Sequence, residues 1–134
     1  MIATKNFTWD EITTHFKGNY GLNPAVSGLW ALEYNIDETV EMLQAIRTGI
    51  GLPIYITSSY RCPKYNESIG GASSSMHLLF RALDFKVKRY KVMDYLTLAY
   101  RIVHEDFFDN KNFGLGVYPS FLHLDNGRKR TWHN

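Results

Sequence analysis

Two imidazoles and one carboxylate stand where polar side chains are costly. Asp84 lies inside the apolar stretch Ala82-Leu83-Asp84-Phe85, and His123 lies inside Phe121-Leu122-His123-Leu124. A carboxylate in such a stretch is expensive to bury unless it is paired or bound to a cation. His77 closes a serine-rich segment just ahead of the first stretch. Two histidine nitrogens and one carboxylate oxygen on a rigid sheet suffice to hold a catalytic Zn2+ with one position left open. Such an ion polarises a carbonyl and lowers the pKa of water to about 7. The same residues also admit a plainer reading. A histidine beside a strand is commonly a hydrogen-bonded core residue, and Asp84 could pair with Arg61 or Arg81.

Helices and strands must bring these three together. Thr8-Trp9-Asp10-Glu11 has the form of a capping box and predicts a short helix from about Thr8 to His15. Gly18, Gly21 and Asn23-Pro24 mark a loop, with Pro24 suited to a first helical turn. Leu29, Ile36, Val40, Leu43 and Ile46 recur at helical spacing, predicting helix to about Arg47 that Gly49 and Gly51 end. Ile54 to Thr57 reads as a strand, residues 61–75 as a loop with one helical turn, and Ala82 to Val87 as a second strand. Val92, Tyr95, Leu96, Ala99, Ile102 and Val103 form another helical stripe. Gly114–Tyr118, Phe121–Leu124 and Arg128–Trp132 read as short strands, the last two joined by an Asn126-Gly127 hairpin turn. The pattern predicts an α+β fold: N-terminal helices, then a small, mainly antiparallel sheet.

With 134 residues the chain is expected to form one compact domain, residues 1–134. Hydrophobic residues make up 45% and charged residues 21%, which excludes a disordered tail. No apolar run reaches the roughly 18 residues a membrane span needs, so no membrane insertion is expected. The N-terminus lacks the charged start and apolar stretch of a signal peptide. A net charge of +2 and the absence of aromatic-basic interleaving argue against a nucleic-acid partner. The basic cluster Arg128-Lys129-Arg130 reads as solvated strand, or as a patch that attracts an anionic polymer. Cys62 is the single cysteine; followed by Pro63 in a turn, it reads as structural. His15, His104 and His133 fall outside every chemical pattern.

Read as whole segments, the chain resembles the M15 metallopeptidase family. Ile56-Thr57-Ser58-Ser59-Tyr60-Arg61-Cys62-Pro63-Lys64-Tyr65-Asn66 is similar to its Ser-x-Tyr-Arg-x-x-x-Tyr-Asn segment, and residues 70–84 to its metal motif, Gly-Gly through His77 to Asp84. Gly114-Leu115-Gly116-Val117-Tyr118-Pro119, Phe121 to Asp125 and Arg130-Thr131-Trp132 are similar to its third block. The resemblance implies a hedgehog/DD-peptidase-like fold and zinc held by His77, Asp84 and His123. It implies Arg61 as the group that meets the substrate carbonyl or its oxyanion, a fixed charge suited to that task. An ion pair with a nearby carboxylate is the alternative for Arg61. Ser75, two residues before His77, is expected to contact substrate or to fix its loop. The implied activity is hydrolysis of amides in peptidoglycan stem peptides or cross-links, as a carboxypeptidase or endopeptidase. A phage-encoded enzyme acting from host cytoplasm or virion suits the missing signal, and so does a bacterial protein exported by another route.

Two positions depart from the family pattern. Many members carry an acid three residues before the last ligand, where this chain has Ser120. Asp125 follows His123 in a His-x-Asp pattern and would share its strand face. It is a candidate to orient water, to act as base, or to cap the Asn126-Gly127 turn. Phe80 stands where many members have glycine, and would reshape the groove or pack the core. Tyr118 and Trp132 read as core aromatics; lining the groove is the alternative that makes Tyr118 a substrate-contact candidate. Ser120 also keeps open a second reading, a binding or virion structural module that retains the metal site with little catalysis. A closed structural zinc site would need a fourth protein ligand, and none is evident.

Overall fold

A computed structural model describes residues 3–16, 29–106 and 112–134. The loop predicted at Gly18, Gly21 and Asn23-Pro24 lies outside them, as does the side chain of Leu29. Helix α1 (Trp9–Thr14) is capped by Thr8, whose hydroxyl accepts the Glu11 N–H at 3.1 Å. Helix α2 (Leu29–Ile50) buries Ile36, Val40, Leu43 and Ile46 on one stripe. Gly51, at φ 73°, ends the helix, and its N–H donates to the Arg47 carbonyl at 3.0 Å. Gly49, expected to end it, lies in the last turn instead. A Cβ there would sit 2.4 Å from Ile102 Cδ1, so this glycine serves close packing rather than termination.

Strand β1 (Tyr55–Ser58) leads into α3 (Pro63–Ser68) and a 3-10 turn (Met76–Leu79). Cys62 caps α3: its buried sulfur accepts the Tyr65 N–H at 3.4 Å. Strand β2 (Ala82–Lys86), helix α4 (Val92–Arg101) and a π-helical turn (Ile102–Asp106) follow, then β3 (Gly114–Val117), β4 (Leu122–Asp125) and β5 (Arg130–His133). The sheet order is β1-β2-β4-β3-β5, antiparallel except where β5 runs parallel to β3. The fold is α+β with a mixed, mainly antiparallel sheet, as predicted.

The Asn126-Gly127 hairpin does not form. Both edges of β4 are already taken, by β2 and β3. The chain therefore crosses the end of β3 and adds β5 on its far side. Asn126 anchors that crossing: its backbone N–H donates to the Arg81 carbonyl at 3.3 Å, and its side chain to the Asn35 carbonyl at 2.7 Å.

The sheet has two unlike faces, because side chains alternate along each strand. Leu83, Phe85, Leu115, Leu122 and Leu124 are fully buried, and α2 and α4 pack against the sheet that carries them. Burial of each such side chain stabilises the fold by about 1.5–3 kcal/mol. On the opposite face, Ser58, Asp84, His123, Gly116 and Trp132 stand in register across the strands. A bulge between Ile56 and Ser58 is what places Ser58 opposite Asp84. The ligand candidates thus occupy the face that the helices leave free.

Candidate metal centre

Register makes Asp84 and His123 neighbours. His77 arrives from the 3-10 turn, which several bonds hold against β2. Ser75 caps that turn, its hydroxyl accepting the His77 N–H at 3.2 Å. The Arg61 N–H donates to the His77 carbonyl at 3.1 Å. Phe80 then reverses the chain into β2 from a left-handed conformation, φ 52° and ψ 51°. That backbone favours glycine. The Phe80 ring is fully buried, with edge contacts to Phe16 at 5.0 Å and Trp9 at 5.9 Å, so it packs the core rather than the groove.

The geometry converges on one oxygen. His77 Nε2 lies 3.1 Å and His123 Nδ1 3.0 Å from Asp84 Oδ1. The three potential ligand atoms all lie within 4.8 Å of one another. The far nitrogens are already committed. His77 Nδ1 bonds the Ser59 carbonyl, which can only accept, so Nδ1 carries a proton. His123 Nε2 meets Asp125 Oδ2 at 2.8 Å. Burial works to raise the Asp125 pKa, but bonds from His123, Gly127 and Arg130 outweigh it and hold the carboxylate below its usual range. Asp125 therefore accepts, and His123 Nε2 donates. When both imidazoles are neutral, each turns a lone pair toward Asp84, and a cation fits such a triad of lone pairs.

Charge placement favours the neutral ring at His77 and the protonated ring at His123. Burial pushes His77 below its usual pKa, toward the neutral form a metal needs. Burial also opposes charge on His123, but the Asp125 and Asp84 carboxylates outweigh it and raise its pKa. Asp84 is buried, which disfavours its charge, yet His77 and the two imidazole bonds hold it well below the usual carboxylate range.

The other expected residues surround this centre. Arg61 Nη2 lies 3.3 Å from Asp84 Oδ2, making the ion pair, while its guanidinium lines the cleft and its Nε is buried without a described partner. Ser75 fixes the His77 turn and lines the same cleft. Asp125 is fully buried; besides His123 it takes the Gly127 N–H at 3.0 Å and Arg130 Nη2 at 3.1 Å. Tyr118 and Trp132 line the cleft rather than the core. Tyr118 stacks on Phe121 at 4.5 Å, and Trp132 Nε1 donates to its hydroxyl at 3.3 Å. The cleft holds about 480 Å³. Ser120 is exposed on the β3–β4 turn and does not line it. His104 lies elsewhere, buried, with Nε2 2.9 Å from the Thr131 hydroxyl.

Glycines make room for this arrangement. A Cβ on Gly116 would lie 2.6 Å from the Trp132 ring, and one on Gly114 2.8 Å from Asp125 Oδ1. Gly114-Leu115-Gly116 thus allows an indole and a carboxylate to lie flat against β3. Sequence reasoning missed three participants. Ser59 acts through its backbone, which no side-chain pattern reveals. Ser58 depends on a bulge. Arg130, read as part of a solvated cluster, bonds Asp125 and lies 4.4 Å over the Trp132 ring.

A family model described as Peptidase M15 matches residues 5–125, a span that contains all three ligand candidates. The chain belongs to the M15 peptidase family. A relative in sequence, the probable peptidoglycan L,D-endopeptidase MepK of Haemophilus influenzae, is 30% identical over 97 residues. The match covers 65% of this chain and 48% of that protein, so this chain spans about half the length of the relative. The buried His77–Asp84–His123 group, which lies within the residues matched by the family, could hold a metal ion.

Proposed function

We propose that this M15 peptidase hydrolyses amide bonds in peptidoglycan peptides, with zinc held by His77, Asp84 and His123, and that it acts as an endopeptidase. The observation that carries the reading is the set of fixed tautomers. Ser59 and Asp125 hold the far nitrogens, so both histidines, once neutral, turn acceptors toward Asp84. When bound there, a zinc ion supplies Lewis acidity at the amide carbonyl and activates water near neutral pH. Arg61, anchored on Asp84, offers its guanidinium to the oxygen on which charge develops. Asp125 acts through His123, holding its ring and tautomer. Tyr118, Trp132 and Ser75 form the walls that orient the substrate.

Two features favour an internal bond over a terminal one. The cleft continues on one side into a groove of about 310 Å³ that shares Arg61, Ile69, Asp84 and Phe121 with it, and on another into a larger groove. A peptide can therefore extend both ways from the centre. The MepK name also denotes an endopeptidase.

A second reading rests on one observation. Among the described residues, Asp84 is the one carboxylate that lines the cleft, and its oxygens face the two imidazoles and Arg61. No separate side-chain base stands beside it, which suits a binding module that keeps the metal with little turnover. Digestion of purified peptidoglycan separates the two. Zinc-loaded wild type is expected to release new muropeptides, and His77→Ala or chelator to abolish them. Unchanged muropeptides on several wall chemotypes, with zinc bound, would establish the binding module instead.

A further inference from the structure

A groove of about 590 Å³ lies beside the cleft, and the two share Tyr118 and Asn134. Its floor is apolar, formed by Val87, Val92 and Val117. Its rim is basic. Lys86, Lys88, Arg89 and Lys91 are all exposed and fall within six residues, from the last of β2 to the one before α4. No acidic side chain lines the groove, and none of the four cations forms an ion pair with another described residue. Sequence reasoning singled out Arg128-Lys129-Arg130 and missed this run, which Val87 and Tyr90 interrupt.

Arg89 adds an independent observation. The turn closes with the Tyr90 N–H donating to the Val87 carbonyl at 3.2 Å, and Arg89 is its third residue, at φ 74°. Glycine adopts that conformation freely, whereas arginine does so under steric strain. Strain of this kind gathers at ligand sites, where the side chain matters more than the backbone's ease.

We infer that this groove holds an acidic peptide segment of the substrate, next to the amide that is cut. The inference rests on the hydrolase reading above. Wall stem peptides combine methyl side chains with free carboxylates. The apolar floor suits the former, and the four cations suit the latter. A phosphate polymer would satisfy the rim but leave the floor without a partner. Because the cations are exposed, each contact is weak and salt-sensitive, and preference arises from several together.

The test is calorimetric titration of the full chain, in chelator to stop turnover, with an uncross-linked stem tetrapeptide in carboxylate or carboxamide form. The carboxylate form is expected to bind about tenfold more tightly at low salt, with the preference shrinking at high salt. Arg89→Gly is expected to melt no lower than wild type while reducing that preference roughly two- to fivefold. The double variant Lys88→Gln/Lys91→Gln is expected to do the same without altering the turn. Equal affinity for the two forms, or an undiminished preference in both variants, overturns the inference. So does tight binding of a teichoic-type polyphosphate without any peptide preference. If zinc-loaded wild type cuts neither peptide while the preference persists, hydrolysis fails and the groove assignment stands.

Discussion

Asp125 is the residue whose position says most about how the centre works. It is fully buried, yet it stays ionised because His123, Gly127 and Arg130 supply it with hydrogen bonds. Partners of this kind that orient a metal-ligating histidine are typically worth 10–100-fold in metal affinity. Asp125→Asn is therefore expected to weaken zinc binding by roughly that factor while the chain remains folded, as read by competition with a chromophoric chelator. The pH dependence follows from His123. Metal needs the neutral ring, and the two carboxylates raise the His123 pKa above its ordinary 6.5. Protons thus compete with zinc from above that value downward. Apparent affinity is expected to climb as pH rises through the raised pKa, and in Asp125→Asn this climb moves to lower pH. An unshifted profile would show that Asp125 does not control the ring. Phe80 poses a second contest of magnitudes. Phe80→Gly relieves a left-handed backbone worth about 1–2 kcal/mol. It also removes a fully buried ring, and such truncations cost about 3–5 kcal/mol. The ring wins, so urea unfolding should show a net loss of roughly 1–4 kcal/mol.

Elements place ligands that no local pattern could bring together. Antiparallel pairing sets Asp84 directly opposite His123, and the 3-10 turn swings His77 over them. Strand β3 contributes no ligand, but its glycines let β5 lay Trp132 beside His123, with ring centroids 5.2 Å apart. Gly116→Ala tests this role. The new methyl must displace the indole, because the contact of 2.6 Å is with a ring rather than a flexible chain end. β5 is an edge strand and Trp132 is only half-buried, so the melting temperature should fall little. The Trp132 indole N–H resonance should shift as its bond to Tyr118 is lost, and KM for a wall peptide should rise more than kcat falls. Unchanged KM would remove Trp132 from the substrate wall.

At the scale of the whole molecule, the sheet divides the work. One face supplies the core against α2 and α4, and the other presents the centre and its cleft. Because the ligands come from positions 77, 84 and 123, only the folded chain brings them within reach of one ion. If zinc is the ion held there, its binding is folding free energy. At a thousandfold excess of free zinc over Kd, linkage predicts about 4 kcal/mol of added stability. The melting temperature should rise by roughly 10 °C or more with zinc in wild type and not in His77→Ala. Equal shifts in both would place the ion elsewhere.

Much of this was legible along the chain. The alternation in Ala82–Phe85 and Phe121–Leu124 marks strands with one polar and one apolar face, because side-chain direction in a strand is a local property. A carboxylate and an imidazole on the polar phase of two such strands already suggested a shared cation, and the order of the motifs already resembled M15 peptidases. Only the tertiary structure decided the rest. Asn126-Gly127 has the composition of a hairpin, but β4 had no free edge, and strand pairing is a contest settled at long range. Gly49 has the look of a helix stop, but its use depends on Ile102, far along the chain. The tautomers of His77 and His123 depend on a backbone carbonyl and a buried carboxylate whose placement requires the whole sheet. Residue type and spacing could nominate the ligands, but which nitrogen faces the metal follows from what lies behind each ring, and packing alone determines that.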